Sequence, residues 1–187
     1  MRHLTAVLLL FSLFTLIVII GIIGMLIKKQ RKFLPQMVAV YAALLVFIFF
    51  EAIGFFNTPV FVLAFVFISV LLHTLVGEFL DVYHKSTTFD RWLHLVGTFA
   101  FTLFCYSIID NTLNPPPLPG AYVFIYVSSL GITLGTMFEI IEFFGDKATQ
   151  NKPRLPAQHG LKDTDTDMIF NAAGAILAGV AAIFMYS

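Results

Sequence analysis

Residues 4–32 read LTAVLLLFSLFTLIVIIGIIGMLIKKQRK, an apolar run that stops at Lys28, Lys29, Arg31 and Lys32. A helix needs about 20 apolar residues to cross a bilayer, and the run from 4 to 27 supplies them. It is longer than the h-region of a signal peptide and has no small-x-small site before its end, so it is expected to stay as a span rather than be cleaved. The basic cluster that follows reads as a cytoplasmic stop.

Five more runs of this kind follow, at about 35–56, 60–80, 92–109, 121–144 and 165–186. The chain is 59% hydrophobic and 12% charged, against about half and a quarter in soluble domains. The expected fold is therefore all-α, a polytopic transmembrane helical bundle of about six spans forming one membrane domain over 1–187. Asn57, Thr58 and Pro59 break the second span from the third. Of the 11 Lys and Arg residues, all but Arg2 fall in the loops at 28–33, 81–91 and 145–164. That asymmetry predicts an inner-membrane protein with those loops inside and both termini outside. A net charge of zero gives no reason to expect nucleic acid, and membrane lipids are the expected partners. The lone cysteine, Cys105, excludes an internal disulfide and a cysteine metal site. The outer segment from Asn114 to Gly120, rich in proline, reads as a stiff connector.

Ionisable residues within spans normally face the interior of the bundle. At 100° per residue, positions 4, 8 and 11 apart share a helix face. The third helix then carries Ser69, His73, Gly77, Asp81 and His84 on one face, and the fourth carries Asp90, His94, Gly97 and Phe101. The fifth carries Gly131, Gly135, Glu139, Glu142 and Asp146, and the sixth Asp163, Asp167, Asn171, Gly174 and Ala178. Small residues lie toward the membrane and ionisable ones toward the cytoplasm, the pattern of helices that approach closely. Gly77, Gly97, Gly135 and Gly174 are expected to face inward.

Four such faces predict a pocket at the inner interface holding His73, Asp81, Asp90, Arg91, His94, Glu139, Glu142, Asp146, Asp163, Asp167 and Asn171. Its seven carboxylates cannot all be charged in a low dielectric without protons, a metal ion or an open watery mouth. Carboxylates and histidine one turn apart on facing helices are how bundles hold metals. His94, Asp90, Glu142, Asp146, Asp163 and Asp167 are the expected ligands, for Mg, Mn, Zn or Fe. Plainer readings compete. Thr164 and Asp167 fit a capping box, Asp90 fits an N-cap, and Arg91 could pair with the acids. Glu51 stands apart in the second span, as a hydrogen-bonded structural carboxyl or a proton relay. There is no nucleophile elbow, P-loop, H-E-x-x-H or dinucleotide fingerprint.

Phe89-Asp90-Arg91-Trp92-Leu93-His94-Leu95-Val96-Gly97 resembles the [YF]-D-R-x-x-H-[FL]-x-x-G segment of the YjdF-like bacterial inner-membrane proteins. His73, Gly77, Tyr83, Glu142, Gln158, Gly160, Asp163, Asp167, Met168, Gly174 and Ala175 resemble the rest of that pattern, over about 65–180. The later half also looks like VanZ-type membrane proteins, through Glu142, Arg154 and Asp167-x-x-x-Asn171-x-x-Gly174. These likenesses imply a fold and site positions, and no reaction. The expected function is metal-dependent action on, or binding of, an amphiphilic substrate at the cytoplasmic interface. A cation- or proton-coupled carrier and a non-catalytic scaffold with a structural polar network are the alternatives.

Overall fold

A computed structural model describes residues 2–30, 33–83, 85–149 and 160–186. Arg31, Lys32, His84, Arg154 and Gln158 of the sequence reading lie outside them. The described residues form six helices: α1 (Arg2–Ile27), α2 (Leu34–Ala52), α3 (Val60–Leu71), α4 (Thr87–Leu113), α5 (Gly120–Thr149) and α6 (Leu161–Tyr186). A π-helical segment, Leu72–Phe79, continues α3. With that segment joined to α3, all six are long and apolar enough to cross a membrane. The chain divides into two compact units. One is Met1–Phe89 with Ser107–Asn114, and the other is Asp90–Tyr106 with Pro115–Ser187.

In the first unit, α1 buries Val7, Phe14, Val18 and Met25. Steps of seven and four are the seam of a left-handed helix pair. Phe14 packs on Phe67 of α3 at 4.6 Å between ring centroids, and Phe11 stacks on Tyr41 of α2 at 5.8 Å. Leu9, Ile20 and Ile27 point outward, where lipid accepts them without cost. Helix α2 stops at Ala52, short of the expected 56, because Gly54 takes a left-handed φ of +77° that closes a turn on the Glu51 carbonyl. Glu51 is buried there and accepts the Thr58 N–H at 3.1 Å. His3 Nε2 lies 2.9 Å from its Oε1. This carboxyl ties the start of α1 and the entry to α3 to the end of α2.

The π segment is not visible in the hydrophobic period. Its widened turn ends where the Leu80 N–H reaches the Leu75 carbonyl at 2.9 Å, and Asp81 then takes φ +62°. Asp81 is thereby turned out to solvent exposure, off the face that a continuous α-period would give it. Gly77 is buried with the Tyr83 ring packed against it.

In the second unit, α6 buries Asp167, Asn171, Gly174, Ala175, Ala178, Gly179 and Ala182. Only glycine and alanine follow the two polar positions, so neighbouring backbones come close. A methyl on Gly131 of α5 would lie 2.6 Å from the Ala175 methyl and 2.6 Å from Thr102 Oγ1. One on Gly135 would lie 2.7 Å from Asn171 Cβ, and one on Gly174 would collide with the Leu95 carbonyl oxygen of α4. The expected small-residue contacts therefore form at Gly135 and Gly174. Gly97 is different: nothing stands within 4 Å of its would-be methyl, and Phe101 is 39% exposed. The inward face of α4 runs His94, Thr98, Thr102 instead. A phenyl ring is satisfied by lipid, whereas the Thr98 hydroxyl finds its partner on α6, at Asn171. Thr102 donates to the Thr98 carbonyl at 2.5 Å.

Candidate functional site

Within the second unit, α4 enters as α5 leaves and α6 enters, so the start of α4, the end of α5 and the start of α6 share one end. Ser86 caps α4, its Oγ accepting the Phe89 N–H at 3.2 Å. Asp90 is therefore not the N-cap, the plainer of the two readings open to it. It sits in the first helical turn, on the side of the helix where His94 follows one turn later. Similarly α6 begins at Leu161, and the Thr164 N–H bonds to the Gly160 carbonyl. Asp167 thus lies in the second turn and not in a capping box. It is 3% exposed, and its Oδ1 has no hydrogen-bond partner among the described residues. A buried carboxylate oxygen left in this state is costly and calls for a reason.

His94 is the hub. Its ring is buried, with the edge of the Phe138 ring against it at 5.6 Å. Nε2 lies 3.7 Å from Asp90 Oδ1, and Nδ1 lies 3.5 Å from Glu139 Oε1. Nδ1 is also 3.3 Å from Asn171 Oδ1, which accepts the Thr98 hydroxyl at 2.6 Å. Two triads share this imidazole, Asp90–His94–Asp167 and His94–Glu139–Glu142. In each, the potential ligand atoms lie within 4.8 Å of one another. Asp163 and Asp167 act electrostatically on His94, and Asp90, Glu139, Asp146 and Asp167 act on Glu142.

Eight of the residues expected in the pocket are thereby gathered in one unit: Asp90, His94, Glu139, Glu142, Asp146, Asp163, Asp167 and Asn171. Arg91 is half-buried beside them, and its Nε has no hydrogen-bond partner among the described residues. Trp92 next to it points outward, edge-on to Phe170 at 5.7 Å. His73 and Asp81 belong to the first unit. There His73 meets Gln36 Nε2 at 3.0 Å and the Tyr83 hydroxyl at 2.6 Å, with Glu78 3.9 Å away. Thr98, Gln36 and Tyr83 take part in these networks without having been singled out as polar site residues. For Thr98 the available signal was its i+4 spacing from His94.

The sequence matches, over residues 7–187, a family described as "Predicted membrane protein (DUF2238)". The chain belongs to that family. The YjdF-like pattern fits it, while the VanZ likeness rests on the sequence motif alone. An uncharacterized protein of Thermotoga maritima is 37% identical over 107 residues. The matched stretch is 57% of this chain and 53% of that relative, so the likeness spans about half of the relative's length. No solved structure matches the chain.

Proposed function

We propose that this family member is an inner-membrane protein whose His94 cluster binds a divalent metal ion near the cytoplasmic face and acts on, or binds, an amphiphilic substrate there. The observation that carries the reading is the pairing of a buried imidazole with carboxylates in two triads, together with the orphaned Asp167 Oδ1. Acids crowded in a low dielectric repel one another, and a dication among them would offset that repulsion. One imidazole with several carboxylates suits Mn, Fe or Zn, and Mg with retained waters. Asp90, His94 and Asp167, or His94, Glu139 and Glu142, would hold the ion. When bound, it would supply a Lewis acid able to hold a phosphate head group or activate water. The distribution of basic residues supports the orientation, with both termini outside.

The test is elemental analysis of the purified protein before and after washing with chelator. A stoichiometric metal that chelator removes, with a fall in melting temperature, supports the reading. A metal-free parent indifferent to chelator leaves only the structural polar network. A cation- or proton-coupled carrier is the second reading. The π segment favours it, because it interrupts the α-helix of the third span next to an ionisable side chain, His73.

A further inference from the structure

We infer that Asn171, held by Thr98, is a positioning residue that fixes the proton of His94 on Nδ1, so that Nε2, facing Asp90, is the atom that binds the metal. This inference rests on the metal reading for its consequence, though not for its geometry. An amide carbonyl oxygen can only accept. Thr98 Oγ1 donates to Asn171 Oδ1 at 2.6 Å, which fixes the direction of that oxygen, and His94 Nδ1 stands 3.3 Å from the same atom. With the Asn171 oxygen on this side and its Nδ2 turned away with no hydrogen-bond partner among the described residues, Nδ1 is the nitrogen that carries the hydrogen. Glu139 Oε1 stands 3.5 Å from Nδ1 without hydrogen-bonding to it, and Nε2 has Asp90 Oδ1 at 3.7 Å. The Asn171 oxygen is the acceptor within hydrogen-bond reach of the ring, and it decides the tautomer for a neutral imidazole. Metals bind the imidazole nitrogen that carries the lone pair, and the hydrogen bond on the other nitrogen selects it.

The consequence is a choice between the two triads. Nε2 looks toward Asp90, so the ion is assigned to Asp90, His94 and Asp167, whose buried Oδ1 has no other partner among the described residues. Glu139, on the Nδ1 side, then adds its charge beside the protonated nitrogen and is not a ligand.

The experiment uses full-length protein in detergent or nanodiscs, labelled with 15N-histidine, stripped with chelator and held at pH 8. The His94 ring signals are assigned by difference from His94→Gln. The parent is expected to show a protonated Nδ1 and a bare Nε2. Thr98→Val, which keeps the shape and removes the donor, and Asn171→Ala should both shift His94 toward the Nε2–H form usual in water. Thr98→Ser should keep the parental signature. On adding Zn2+, the parent should shift at Nε2, and Asn171→Ala should need about 10–100-fold more Zn2+ to do so. A parent His94 that is protonated on Nε2, or a signature unchanged in both Thr98→Val and Asn171→Ala, overturns the inference. A protonated Nδ1 that responds to Thr98→Val, with no Zn2+ effect, upholds the positioning role and overturns the metal reading instead.

Discussion

Adding one methyl group at Gly135 should disable the site without touching an ionisable residue. The built methyl of Gly135→Ala lies 2.7 Å from Asn171 Cβ and 2.9 Å from its Cγ, against an ordinary contact limit of 3.4 Å. Close-packed helices have little free space, so Asn171 must retreat by about 0.7 Å. Its hydrogen bond to His94 Nδ1 is 3.3 Å long and has only about 0.2 Å of slack before it ceases to be one. Overpacking of this kind costs about 1–3 kcal/mol. The loosened histidine should lower metal affinity about 10–100-fold. Gly97→Ala on α4 is the control, since nothing stands within 4 Å of its methyl. Alanine there should be neutral or stabilising by up to about 1 kcal/mol, the helix-propensity difference. Thermal unfolding followed by Trp92 fluorescence, with a Mn2+ titration of each protein, gives both quantities. If Gly135→Ala melts and binds like the parent, or Gly97→Ala is equally damaging, the packing assignment is wrong.

Three other outcomes are expected. His94→Ala and Asp167→Asn should abolish metal binding while the proteins still insert, and chelator should then lower the melting temperature of the parent alone. Cysteines placed at Lys29 and Lys152 should react with an impermeant maleimide only after the membrane is opened, and one at Ser187 should react from outside. Labelling of Lys152→Cys in intact cells would reverse the orientation. Glu51→Leu should destabilise the protein by about 1–3 kcal/mol by leaving the buried Thr58 N–H unmatched, and leave metal affinity unchanged. A drop in affinity there would link two features that the reasoning keeps apart.

The six helices were legible because hydrophobic length alone marks a span, and the α5 and α6 stripes were legible because glycine and alanine there repeat with the α-period. The fourth helix misled: Gly97 and Phe101 share a face with His94 by angle, yet the buried face runs through Thr98, whose hydroxyl reaches Asn171 of α6. Hydropathy ranks a phenylalanine as core, and in lipid that ranking fails. The π segment was illegible, since local winding leaves no period of its own in eight residues, and it removed Asp81 from its expected face. Asp167 could be read as a cap or as a site residue. Only the true start of α6, set by Gly160 and Leu161, separates the two. The hydrogen bond that orients Asn171 joins residues 73 apart in sequence and could not be inferred from either one.

The polar positions of α6 have a bearing on how the protein is made and retained. Asp167 and Asn171 are buried in the folded protein, so α6 reaches its membrane-compatible state by docking and not by insertion alone. A helix held away from α5 would present a carboxylate and an amide to lipid, the kind of exposed feature that membrane proteases remove. Substitutions at Gly131, Gly135 or Gly174 should therefore reach the cell as missing protein more often than as inactive protein. Selection for a working site and selection for survival of the chain then act on the same few small residues.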